Sequence, residues 1–370
     1  MQKVESRRRL KVAATVLALA ILAVRANAAQ LLVEDTIIPA TFPEFPGKPV
    51  WSLEGVVVRM NDGQRHPVAA FIDGEPEINP RPMLLVAREL ARRGWTAVAV
   101  MRPGWGKSQG GQLNFSCGTP GAYEEDALEA AQTLRETIRV VGARPYADPT
   151  RSLAIGHSTG GIGVTALVAD PPPNLVGAIN FAGNNGSNYP RDPDRPCNVD
   201  GLVATFAKFG VTARIPMLWI YAENDHHMGP ANAHAYYNAF TKAGGNATLE
   251  MAPAMGIDGH TLYANSDAVP VWSAYLDQFF AAQKLAMTSQ PATIDPPAVS
   301  PPQGLSAEGR AGFARYLLEL PHKAFVSGPN HWQFVGRRET EQEAETTALD
   351  RCAKAAGAVC KVIMRDDQPQ

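Results

Sequence analysis

One stretch, RSLAIGHSTGGIGV from Arg151 to Val164, constrains this chain more than any other. A short apolar run leads into a serine set in the spacing G-x-S-x-G, and a second apolar run follows at once. The first run, RSLAIG, reads as a buried strand, and TGGIGVTALVAD reads as a helix. A chain that passes from strand to helix within about one residue must turn sharply. Gly156 and Gly160 remove the side chains that would collide in such a turn. The turn pushes the Ser158 hydroxyl out beyond the sheet edge, where the first N–H groups of the helix face it. That position suits a nucleophile, provided a base stands nearby. The plainer alternative is a helix-start turn in which Ser158 only caps. A phosphate loop fits poorly, because the lysine of a Walker sequence is missing and the glycine spacing is not that of a dinucleotide loop.

The surrounding chain supplies the sheet that such a turn requires. Strand-like runs at residues 50–59 and 67–72, and in WTAVAVM, LVGAINFAG, IPMLWIYAE and NATLEMAPA, alternate with helical stretches. The helical stretches are RPMLLVARELARRG, residues 122–140, ANAHAYYNAFTKAGG and AVPVWSAYLDQFFAAQKLA. This alternation predicts an α/β chain with a mostly parallel sheet covered on both faces. After residue 285 the composition changes. MTSQPATIDPPAVSPPQ is rich in proline and reads as an extended linker over residues 286–305. Residues 306–370 then read as a small α+β unit, with a helix, strands in HKAFVSG and HWQFVG, a polar helix from Glu339 and a last strand, CKVIM.

Residues 1–28 stand apart. A basic start, thirteen apolar residues from Val12 to Val24, and Ala26 and Ala28 at the minus-three and minus-one positions read as a secretory signal peptide cleaved after Ala28. Thirteen apolar residues are short for a membrane span, so no stable membrane anchor is expected, and the mature protein is expected in the periplasm or secreted. The whole chain has 34 basic and 36 acidic residues; residues 1–28 hold six of the former and one of the latter, leaving a formal charge of −7. No basic footprint for nucleic acid is visible. Four cysteines, Cys117, Cys197, Cys352 and Cys360, allow three pairings. An oxidising compartment permits disulfides. Cys352 and Cys360 pair most naturally across their short turn, which leaves Cys117 with Cys197. None has the spacing of a metal ligand.

A nucleophilic serine needs a base and a group to orient that base. On a sheet of this kind the chain order is serine, acid, histidine. Asp225 follows the strand IPMLWIYAE and is the preferred acid; Glu223 and Asp258 compete with it. His260 follows the next strand and is the expected base. His226 and His227 adjoin Asp225 on one loop and are badly placed to receive its carboxylate and also reach Ser158; they are expected to line the pocket or face solvent. His157 lies beside the serine and should point elsewhere, and no histidine cluster suggests a metal. The Thr159 N–H is expected in the oxyanion hole, with a second donor from the loop after PVAAFI, Gly74 or Glu75. Trp105 is either a pocket residue or a packed loop aromatic. Asn184 and Tyr189, in a polar excursion near the same sheet edge, are candidates for the substrate entrance.

Taken together, FIDG, VAVMRPGWGKS, IGHSTGG, LWIYAEND and GIDGH resemble the α/β-hydrolase superfamily, and most nearly its dienelactone-hydrolase-like and prolyl-oligopeptidase-like members. The resemblance covers roughly residues 50–282, within a catalytic domain expected over residues 29–285. It implies an acyl-enzyme on Ser158, with Asp225 and His260 completing the triad and no cofactor. This chain departs from the pattern at Asp73-Gly74, where many relatives have His-Gly. It departs again in its serine nucleophile, where dienelactone hydrolase proper uses cysteine. The expected activity is hydrolysis of a small-molecule carboxylic ester. The rivals are a peptidase or amidase with the same triad, and a catalytically silent binding protein on the same fold. Residues 306–370 vaguely resemble small cysteine-bonded units attached to exported bacterial proteins, a likeness that carries no known chemistry; the partner is unknown, and the unit either binds cell-wall material or a protein or packs on the hydrolase.

Overall fold

The structure is a computed structural model. It describes residues 30–43, 45–74, 78–113, 115–329 and 331–370. The expected signal peptide and Glu75 lie outside the described residues.

Eight strands form the main sheet: β1 (Leu31–Thr41), β2 (Val50–Met60), β3 (His66–Ile72), β4 (Thr96–Val100), β5 (Ala147–His157), β6 (Leu175–Phe181), β7 (Met217–Ala222) and β8 (Ala247–Ala252). Their order is β1-β2-β4-β3-β5-β6-β7-β8. The pairs β1–β2 and β2–β4 are antiparallel, and all the others are parallel. This is the α/β-hydrolase fold. Its helices are α1 (Leu84–Arg92), α2 (Ala122–Gly142), α3 (Thr159–Ala169), α4 (Val199–Gly210), α5 (Pro230–Lys242) and α6 (Val269–Ala282).

The central strands are apolar on both sides because both sides are covered. β4 and β7 are buried at every residue. One face packs Val98, Val100, Ala154 and Trp219 under α2, α3, α4 and α5; the other packs Ala97, Ala99, Ile155 and Ile220 under α1 and α6. Period-two alternation is therefore absent there, and short apolar runs mark the strands instead.

Two elements go beyond the sequence reading. β1, LLVEDTIIPAT, carries charge and a proline and is half exposed along much of its length. It is the sheet edge, paired with β2 from Leu31–Met60 to Thr41–Val50, and an edge is where a sheet tolerates proline. Helix α4 follows the polar excursion and is capped by Asn198, whose side chain accepts from the Gly201 N–H at 3.0 Å. It buries Leu202 and Phe206 completely, and each such side chain contributes about 1.5–3 kcal/mol of burial.

A second, antiparallel sheet lies near the C-terminus. Its strands are β9 (Ala324–Gly328), β10 (His331–Val335), β11 (Lys361–Arg365) and the short β12 (Gln368–Pro369), in the order β10-β9-β11-β12. Helices α7 (Ala307–Leu317) and α8 (Glu341–Ala356) accompany it. Cys352 on α8 is bonded to Cys360, just before β11, and Cys117 is bonded to Cys197. Among the described residues, no helix is long and apolar enough to cross a membrane.

Candidate active site

Strand register brings the site together. β3 and β5 run parallel with Ile72 opposite Gly156, so the residues just past β3, Asp73 and Gly74, lie beside His157 and Ser158. β5 pairs with β6 through His157 and Phe181, and β6 pairs with β7 through Phe181 and Ile220. The loops that follow these strands meet at the carboxyl ends of the sheet, where a fold of this kind carries its ligands.

Ser158 sits at the turn between β5 and α3, with φ +51° and ψ −121°. A non-glycine residue at positive φ is strained, and strain of this kind persists only where its surroundings fix it. Backbone hydrogen bonds do so here. The Ser158 N–H donates to Phe181 O at 3.1 Å, and Ser158 O accepts from Gly161 N at 2.9 Å and Asn184 N at 3.0 Å. The bracketing glycines are required by contact. A Cβ on Gly156 would stand 2.0 Å from Gly160 O, and one on Gly160 would stand 2.5 Å from Ile72 O. Thr159 opens α3, so its N–H has no acceptor inside the helix.

Asp225 lies three residues beyond β7 and is almost fully buried. Its Oδ2 is 3.0 Å from His260 Nδ1, and its Oδ1 accepts the His227 N–H at 3.0 Å. His260 sits on the 3₁₀ turn Gly259–Ala264 and is also buried. Burial holds its imidazole below the ordinary histidine value; His157 and His227 add to this, and Asp225 opposes it. Neither Ser158 Oγ nor His260 Nε2 is hydrogen-bonded to a described residue. Contacts of this kind often tighten only when substrate is bound.

The competing carboxylates do other things. Glu223 is exposed. Asp258 accepts the N–H groups of His260 at 3.0 Å and His226 at 3.1 Å, and its Oδ2 lies 3.4 Å from His227 Nε2. Burial works against its charge, but these donors outweigh it and hold the carboxyl well below the usual range. The His227 ring stacks on His260, with centroids 4.0 Å apart and planes 12° apart.

A cleft of about 440 Å³ opens over the serine, lined by Ser158, Thr159, Asn184, Tyr189, His227 and the Cys117–Cys197 bridge, among others. Asn184 is 1% exposed, and neither atom of its carboxamide has a partner among the described residues. Tyr189 packs on the His227 ring at 4.9 Å. Trp105 is not part of this lining; it packs against the core on the α1 and α6 side.

Gly74, an expected oxyanion donor, lies beside the serine. The Gly74 N–H is donated to Asp73 Oδ1 at 2.7 Å in this structure. What Gly74 contributes is space: a Cβ there would stand 2.6 Å from Ser158 Cβ and 3.0 Å from Thr159 N. Glu75, the other expected donor, lies outside the described residues.

Two buried polar groups escaped sequence reasoning. Arg102, just past β4, pairs with Asp126 and with Glu129 on α2, and Asn185 Nδ2 donates to Asp126 Oδ2 at 2.6 Å. Its signal was Asp126 and Glu129, three residues apart on α2 and so on one face of it. The second is Asp73 with His157 and Tyr263; 84 residues separate the first two, and no local spacing reveals their contact.

No family model and no curated protein matches this chain. Solved structures do. A CIB-like hydrolase from Thermoplasma acidophilum shares 17% identity over 67% of this chain and 100% of its own, with TM-score 0.46. An esterase from Pyrococcus furiosus shares 13% over 68% and 93%, with TM-score 0.48. An acylaminoacyl peptidase from Pyrococcus horikoshii shares 15% over 71% and 43%, with TM-score 0.48. At these identities the likeness concerns the fold.

Proposed function

We propose that this protein is an exported serine hydrolase that cleaves carboxylic esters through an acyl-enzyme on Ser158. The observation that carries the reading is the buried 3.0 Å bond between Asp225 and His260, set beside a serine held at positive φ at the mouth of a cleft. His260 takes the proton of Ser158 as the oxygen attacks the ester carbonyl. Asp225 holds the ring in the tautomer that leaves Nε2 free to accept, and it stabilises the imidazolium that forms. The Thr159 N–H, at the start of α3, stabilises the developing oxyanion. His260 then gives the proton to the leaving alcohol and later activates water for deacylation.

The cleft wall supports a polar substrate. Asn184 offers an unpaired donor and an unpaired acceptor from a buried position, and a group left so costs about 1–3 kcal/mol until a ligand or water pairs with it. A hydroxyl or amide near the scissile carbonyl meets both needs. The signal-like residues 1–28 and the two disulfides support export.

The test is hydrolysis of a p-nitrophenyl ester series from short to long acyl chains by the mature protein, beside Ser158→Ala. The expected result is turnover that favours short chains and falls by about 10⁴-fold or more in the variant. Equal rates in both proteins contradict the reading. Turnover of amides alone, lost in the variant, moves it to an amidase.

A further inference from the structure

His157 precedes the nucleophile and is buried, yet the triad makes no use of it. Its Nδ1 lies 2.5 Å from Asp73 Oδ1, and its Nε2 lies 3.0 Å from the carbonyl oxygen of His260. A backbone carbonyl can only accept. The Asp73 carboxylate also takes the Gly74 N–H on Oδ1 and the Tyr263 hydroxyl on Oδ2, so it is surrounded by donors, as an ionised carboxylate requires. Both nitrogens of His157 therefore face acceptors. A neutral imidazole has one N–H, and only the imidazolium has two.

We propose that His157, held as an imidazolium by Asp73, is a positioning residue that sets the catalytic base against the nucleophile. The inference rests on the triad reading for its catalytic consequence, though not for its charge. Through its backbone, His157 is continuous with Ser158. Through Nε2 it grips the backbone of His260. Through Asp73 it orders Gly74, whose Cα faces Ser158. One side chain thus ties together the nucleophile turn, the base loop and the oxyanion loop.

The electrostatics agree. Burial opposes both charges, but each partner offsets it: Asp73 is held below the usual carboxyl value and His157 above the usual histidine value. The titratable groups around His157 are Asp73, the Tyr263 ring at 4.4 Å and the His260 ring at 4.6 Å, with Asp225 and His227 beyond His260. A fixed positive charge so close to His260 disfavours a second one there, and the base stays neutral at lower pH. The pair also accounts for the departure at Asp73-Gly74: an acid at position 73 is what a charged His157 needs.

The test is nitrogen-15 NMR of the histidine side chains in the full mature protein, with the His157 signals assigned by their loss in His157→Gln. The expected result is two protonated ring nitrogens on His157 at pH values above the ordinary histidine value of about 6.5. A His157 that titrates near that value, or keeps one bare nitrogen throughout, overturns the proposal. Kinetics give a second readout. His157→Gln should lower kcat by about 10²-fold with little change in KM, and should move the acid limb of the rate profile up by about one pH unit. Wild-type kcat with an unmoved limb also overturns it. If the variant does not fold, the wild-type spectrum still decides. If the protein hydrolyses no ester at all, the triad reading fails while the spectrum judges His157 separately.

Discussion

At the scale of single residues, the site is a set of backbone positions that admit one side chain each. Gly74 is the sharpest case. A methyl group there meets Ser158 and the Thr159 N–H, neither of which can swing aside. Gly74→Ala should cost about 10²-fold in kcat while the fold holds, because the residue lies past the end of β3; kinetics beside circular dichroism check this. The titration of His260 is a second residue-scale property. General-base action needs the neutral imidazole, and burial lowers the pKa of His260, so the neutral form persists at lower pH than for an exposed histidine. The acid limb of kcat/KM should therefore lie below about pH 6.5, and a rate profile over that range reads it directly. Ser158, Asp225 and His260 were legible as residue types just past strands, and the structure brings Asp225 and His260 into contact. His157 was not, because its partner comes from another strand end and only register brings them together.

At the scale of elements, most of the sheet was legible because its strands are buried on both faces and stand out as short apolar runs between helices. β1 was not, because an edge strand has a solvent side and so carries Glu34, Asp35 and Pro39 inside its pattern. Helix α4 was masked by the polar loop before it. That loop is pinned from two sides. Asn185 donates to the buried Asp126 on α2, and Cys197 ties it to the loop that holds Cys117. The ion cluster predicts a clear outcome. Arg102→Met leaves Asp126 and Glu129 facing each other without a cation, and losing one partner of a buried pair costs about 3–5 kcal/mol. Urea denaturation measures that loss. Removing the bridge with Cys117→Ser and Cys197→Ser should cost about 2–4 kcal/mol and raise KM more than it lowers kcat, because the bridge lines the cleft and not the triad.

At the scale of the whole molecule, the C-terminal unit bears on the loop that carries His260. Leu320 joins the core on the α1 side of the main sheet. Arg337 donates to Ala264 O at 3.1 Å, and Ser266 donates to Glu319 Oε1 at 2.8 Å, both at the end of the turn that carries His260. The proline-rich stretch is pinned at the C-terminal end of α1, with the Ala292 N–H on Arg92 O at 2.7 Å and Arg92 Nε on Ala292 O at 2.8 Å. Composition marks such a stretch as extended but cannot say where it docks. Arg337→Met should quicken hydrogen exchange across Gly259–Ala264 and lower kcat several-fold without unfolding the main sheet. Unchanged exchange there would make the C-terminal unit a bystander to catalysis.

The central claim is that Ser158 is an activated nucleophile. Its most direct measurement is labelling of the mature protein with a small fluorophosphonate, followed by mass mapping of the adduct. The account predicts one adduct, on Ser158, formed far more slowly in His260→Ala. An unlabelled protein with the native fold, or an adduct on another serine, would contradict it.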